Sequence, residues 1–93
     1  AAAKSAMHAM SRGFANLGAP HNITSNVLAP GLIMTRLVSE RLTPEALEKE
    51  KAGIPLGRGE TPEEIAEAGI NMMRSGFITG EILNINGGAF MRP

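Results

Sequence analysis

The chain has 93 residues, 43% of them apolar, and its nine basic side chains balance nine acidic ones. That neutrality offers no electrostatic footprint for nucleic acid or an anionic membrane, and no apolar run approaches the ~20 residues of a bilayer span. The absence of cysteine excludes disulfides and thiolate metal sites and is compatible with a cytoplasmic location.

Residues 1 to about 18 read as one helix. Ala3, Met7, Met10, Phe14 and Leu17 recur at alternating intervals of four and three, an apolar stripe of helical period. Ala2, Ala6, Ala9 and Gly13 make a second stripe of small side chains suited to close helix packing. Gly18 and Pro20 supply stop signals. The chain opens on Ala1 with residues that read as mid-helix, so truncation inside an element is expected.

Ile23 to Ala29 reads as a buried strand, because apolar residues fall on both faces. Pro30-Gly31 then turns the chain out of the sheet. Thr43-Pro44-Glu45 starts a helix running to Lys51, with Thr43 as N-cap. Its flanks, Met34 to Leu42 and Ile54 to Gly59, read as a long surface insertion of the kind that forms lids and binding loops. Thr61-Pro62-Glu63-Glu64 is a capping box opening a helix to about Arg74. Gly76 ends it, and Glu81 to Ile85 reads as a strand closed by Gly87-Gly88. The order of leading helix, strand, lid, helix and last strand predicts an α/β protein with a parallel sheet.

Six pieces, in order, carry a family resemblance: Lys4-Ser5-Ala6, Pro20-His21-Asn22-Ile23, Asn26, Pro30 to Thr35, Pro55-Leu56-Gly57-Arg58, and Ile78-Thr79-Gly80-Glu81 before Gly87-Gly88. The chain resembles the short-chain dehydrogenase/reductases along nearly its whole length, with 3-oxoacyl-thioester reductases as one similar branch. The resemblance implies that residues 1–93 are the C-terminal portion of one Rossmann-type, doubly wound parallel-sheet domain whose nucleotide-binding half lies elsewhere.

It further implies an NAD- or NADP-dependent oxidoreductase that moves a hydride between nicotinamide and a carbonyl or secondary alcohol. Partners are a small-molecule substrate and other copies in a homo-oligomer. In the family a Tyr-x-x-x-Lys motif carries proton transfer; Ala1-Ala2-Ala3-Lys4 supplies the lysine, and the tyrosine would fall immediately before Ala1. Positions i and i+4 share a helix face, so the ammonium can favour a phenolate. Lys4 is therefore the expected catalytic and cofactor-binding residue, set against a plain solvated lysine at a helix start.

By the same resemblance the turn Pro30, Gly31, Ile33 and Thr35 binds cofactor. It follows a strand, where α/β proteins hold ligands, and its proline and glycine would expose backbone groups. Backbone groups of Ile33 and the Thr35 hydroxyl would meet the nicotinamide carboxamide or nearby phosphate oxygens. The alternative is an ordinary strand-to-loop turn. Met34, Leu37, Val38 and Leu42 either line a substrate pocket or anchor the lid.

Asn26, an amide inside a strand, is expected to serve structure through hydrogen bonds. Ser25 stands where an apolar residue such as valine is usual in the family. Gly57-Arg58-Gly59 lacks a dinucleotide loop's third glycine and leading strand, and His8 and His21 have no ligand-spaced partners, so no metal is expected. The chain alone is expected to bind no cofactor tightly and to be inactive. The competing reading is a truncated, non-enzymatic helix-pairing or interaction module.

Overall fold

The computed structural model describes residues 2–91. Helix α1, Ala2–Gly18, continues into a single 3-10 turn at Ala19–His21. The reversal comes later than Gly18: Asn22 takes the left-handed conformation, at φ 58°, and its amide caps the Ala19 carbonyl. Gly18 is helical, and its missing side chain matters for another reason. A Cβ there would stand 2.8 Å from the Ile23 carbonyl oxygen, so the returning backbone needs the space.

Strand β1, Val27–Pro30, is shorter than the expected Ile23–Ala29. Residues 23–26 form no regular strand because they make other bonds. Ile23 N–H closes on the Gly18 carbonyl, while Ser25 accepts from Gly80 N–H and donates its own N–H to the Thr79 hydroxyl. The strand also runs through Pro30, which sits exposed at its end, where no ladder donor is needed.

The expected long insertion contains regular structure. Helix α2, Arg36–Arg41, starts on Thr35, whose hydroxyl accepts from Val38 N–H at 3.2 Å. The sequence reading missed it because six residues are too few for a visible apolar period. Helix α3, Pro44–Ala52, has the expected Thr43 cap on Ala46 N–H, and helix α4, Pro62–Arg74, follows. The α4 capping box is complete: Thr61 N–H donates to Glu64 Oε1 at 2.9 Å, and Glu64 N–H donates back to the Thr61 hydroxyl at 3.1 Å. Strand β2, Ile82–Ile85, then precedes Gly87 and Gly88, both at positive φ.

β1 and β2 pair as a two-stranded sheet. Val27 N–H donates to the Glu81 carbonyl and Gly31 N–H to the Ile85 carbonyl, each at 2.9 Å. Both partners advance by four residues in the same sense, so the strands are parallel, as alternation of helix and strand predicts.

The chain divides into two units. The first comprises residues up to Leu28 and Ala68–Leu83; the second comprises Ala29–Glu67 and the residues from Asn84 onward. In the first, Ala15, Gly18 and Met72 are buried, and Gly69 brings α4 close to Leu28, whose Cδ1 lies 3.1 Å from where a Cβ would stand. The leading helix therefore buries Ala15 and Gly18 rather than its predicted stripe. Met7, Met10, Phe14 and Leu17 are each more than half exposed, and Ala2, Ala6, Ala9 and Gly13 of the small-residue stripe are exposed too. In the second unit Ile54 and Glu60 are buried.

Candidate functional site

The segment after β1 is organised by one short parallel bridge. Ile33 pairs with Glu60: Met34 N–H donates to the Glu60 carbonyl at 2.8 Å, and Glu60 N–H donates to the Leu32 carbonyl at 2.9 Å. In such a pair the groups of Ile33 itself face the opposite edge. The Ile33 carbonyl accepts from Thr35 N–H at 2.9 Å, while Ile33 N–H has no partner among the described residues. Leu32 N–H likewise has none, but by the bridge geometry it is the Ile33 N–H that lies on the edge turned away from Glu60.

At the Pro30-Gly31 bend itself the one amide is already in use. Gly31 N–H is engaged twice, by the Ile85 carbonyl and by Glu60 Oε1, each at 2.9 Å. Glycine is required because a Cβ would stand 2.9 Å from Asn86 Cβ and 3.1 Å from its Cα. Ile33, two residues on, has an unpartnered N–H among the described residues on the edge away from Glu60. Thr35 Oγ1 accepts from Val38 N–H and so caps α2, which leaves its hydroxyl proton free to donate.

Glu60 went unnoticed in the sequence. It sits between Gly59 and a capping box, where local pattern suggests a solvated approach to a helix. Yet it is only 9% exposed, and its Oε2 has no hydrogen-bond partner among the described residues. Burial raises its pKa above the carboxylate reference, partly countered by the Gly31 hydrogen bond. A small cavity of about 100 Å³ adjoins it, lined by Leu32, Ile54, Leu56 and Ile85 among others. Arg58 forks onto Glu64 at 2.8 and 2.9 Å, and this bond together with the Thr61 N–H holds Glu64 down to about 2.

The lid residues have individual fates. Met34 packs on Gly59, where a Cβ would come within 2.6 Å of Met34 Cγ. Leu37 is 54% exposed, and Val38 and Leu42 are half-buried. A groove of about 730 Å³ opens beside the turn, floored by Gly31 and Leu32 and walled by Ala46, Lys49 and Glu50 of α3. None of the four expected lid residues lines it.

In the first unit Lys4 stands exposed in the first turn of α1. Asn26 has the structural role expected of it. Its Nδ2 donates to the Ile78 carbonyl at 3.0 Å and its Oδ1 accepts from Glu81 N–H at 3.1 Å, tying β1 to the approach to β2. Ser25, in place of an apolar residue, bonds the Ser11 hydroxyl at 3.0 Å. Among the described residues no helix is long and apolar enough to cross a membrane.

This parallel α/β arrangement has close counterparts. The family model described as Enoyl-(Acyl carrier protein) reductase matches residues 1–89. A protein of the short chain dehydrogenase family from Francisella tularensis superposes with a TM-score of 0.83 at 31% identity, over 92% of this chain and 40% of that one. The chain belongs to the short-chain dehydrogenase/reductase family.

Other family members agree. The chain is 39% identical over 88 residues to the Bacillus subtilis oxidoreductase YmfI, covering 92% of this chain and 36% of that protein. It is 40% identical over 74 residues to the 3-oxoacyl-(acyl-carrier-protein) reductase FabG of Aquifex aeolicus, covering 77% of this chain and 29% of that protein. The Pseudomonas aeruginosa RhlG structure, an active-site complex with NADP, superposes with a TM-score of 0.83 at 36% identity, over 92% of this chain and 35% of RhlG. The chain therefore spans about a third of the length of these family members, and its α/β architecture is the Rossmann-type fold they share.

Proposed function

We propose that this chain is the C-terminal portion of a single Rossmann-type domain in an NAD(P)-dependent oxidoreductase acting on a carbonyl or secondary alcohol. The Ile33 N–H carries the reading: the bridge that uses the Leu32 carbonyl, the Met34 N–H and both backbone groups of Glu60 leaves the Ile33 donor on the opposite edge. An unpaired amide donor fits a carboxamide oxygen, and the Thr35 hydroxyl proton fits a carboxamide or phosphate oxygen. These residues therefore suit a nicotinamide nucleotide, with Pro30 and Gly31 shaping the turn. Bound there, NAD(P)H would supply a hydride to a carbonyl, and NAD(P)+ would accept one from a secondary alcohol.

Lys4 serves proton transfer. Its ammonium favours the ionised form of a tyrosine one helical turn before it and hydrogen-bonds the ribose. The 3-oxoacyl-thioester reductases among the relatives make such a thioester a first substrate to try. Homo-oligomers fit the uncovered small-residue stripe of α1. By itself the chain holds cofactor weakly and turns nothing over.

The test is NAD(P)H oxidation by the full-length protein on a panel of 3-oxoacyl thioesters and simple ketones, with Lys4→Met beside it. Turnover that falls by about 10²-fold or more in Lys4→Met agrees with the proposal. No oxidation with any carbonyl, or an unimpaired Lys4→Met, would defeat it.

A second reading, a helix-pairing module without chemistry, has the exposed α1 stripe in its favour. Turnover lost in Lys4→Met decides against it.

A further inference from the structure

We propose that Glu60 is a positioning residue: it holds the Gly31–Met34 turn through three bonds and so fixes the Ile33 amide where a nicotinamide group can use it. Its side chain accepts from Gly31 N–H, its carbonyl accepts from Met34 N–H, and its N–H donates to the Leu32 carbonyl. One residue thereby grips three of the four residues of the turn, skipping only Ile33.

The two backbone bonds would form with any side chain at position 60. The carboxylate adds the third, and it does so from a buried position, 29 residues away from Gly31 along the sequence. A buried carboxylate with one unpartnered oxygen costs stability, so an apolar residue would fill the place more cheaply. What the carboxylate provides is an acceptor that an apolar side chain lacks. With it, Gly31 N–H is anchored to both the β2 end and the Glu60 segment. The turn is pinned at its entry, and the bridge pins it at its exit. Gly59 belongs to the same device, since only a bare backbone there admits Met34 so closely.

This inference rests on the nicotinamide reading above, and the experiment separates the two. In the full-length protein, Glu60→Gln keeps an acceptor for Gly31 N–H, with the adjoining cavity able to take a water for the other end of the amide. Glu60→Met has similar bulk and no acceptor. Both remove the buried charge, so their difference isolates the hydrogen bond.

Two readouts are compared, hydrogen–deuterium exchange in the peptide covering Gly31–Met34 and steady-state kinetics. Glu60→Met should exchange about fivefold faster there. It should raise the cofactor KM about tenfold while kcat stays within about twofold. Glu60→Gln should match the unsubstituted protein in both. A merely structural role would instead lower kcat through a smaller active fraction and leave KM unmoved.

Unchanged exchange in Glu60→Met, or a Glu60→Gln as impaired as Glu60→Met, overturns the inference. Faster exchange without a KM change also overturns it, by showing a clamp that cofactor does not feel. If the unsubstituted protein binds no NAD(P)H, the nicotinamide reading fails, and the exchange comparison alone decides whether Glu60 holds the turn.

Discussion

The two units of this chain are held by different means. The first relies on small residues that let backbones and apolar side chains approach, with Ala15, Gly18 and Gly69 at the contacts, and on one amide, Asn26, that rivets β1 to the residues before β2. The second relies on backbone pairing around a buried acid, with Glu60 gripping the turn after β1. Packing by small residues tolerates a loss of bonds but resists added volume. A turn built from bonds is sensitive to both. The contrast teaches where function can reside: a turn whose backbone is held by bonds along one edge can offer the other edge, with the Ile33 N–H, to a ligand.

The severest break is Gly31→Val. Its Cβ would collide with Asn86, and the added methyl groups worsen the overlap. The expected cost is about 3 kcal/mol, and cofactor binding should vanish with it. Thermal unfolding and fluorescence titration with NAD(P)H on the full-length protein check both effects.

Asn26→Ala tests the rivet of the first unit. It strips a partner from the Ile78 carbonyl and the Glu81 amide, and partial exposure of the site tempers the loss to about 2 kcal/mol. If the units differ as described, this variant loses stability while the cofactor KM of its folded fraction is unchanged. Denaturant unfolding alongside kinetics would show it.

Thr61→Ala removes the α4 cap and should cost about 1 kcal/mol. Glu60, which bonds the Gly31–Met34 turn, keeps its backbone bonds, so under the proposed reading the cofactor KM should move little. A large rise in KM would mean that the cap and the clamp act as one device.

The smallest effect concerns acid stability. Glu64 is held at about 2 in the folded chain against a reference of 4.5, so its contribution is present above 4.5 and is lost as pH falls toward 2. Glu60 has the opposite sign. Its raised pKa favours the protonated folded form, a contribution present below 4.5 and lost as pH rises through the folded value. Glu64→Gln should flatten the acid limb of a melting-temperature profile, and Glu60→Gln should steepen it. The Arg58–Glu64 pair is largely exposed, which keeps the first change modest.

Much of the chain was legible before any coordinates. The helix starts at Thr43 and Thr61 and the hydrogen-bonding part of Asn26 were readable from residue type and spacing. The apolar stripe of α1 was readable as a pattern, but its exposure within this chain was not. Periodicity shows that a face is apolar, not what lies against it, and within this chain the closest packing falls on Ala15 and Gly18 instead. Helix α2 escaped notice through its brevity. The turn from Pro30 to Thr35 was readable as a candidate, with Ile33 and Thr35 as its contacts, but not the bonds by which Glu60 holds it.

By itself, the sequence determined the order of the longer elements, the caps of α3 and α4 and the family, because caps are settled by side chains within four residues of the groups they serve. Only the tertiary structure decided that Glu60 is buried, that Gly31 is bound twice and that the Ile33 N–H lies on the edge away from the bridge. Those outcomes depend on which strand returns beside which. A parallel bridge joins segments far apart along the chain, and nothing within either segment announces the other.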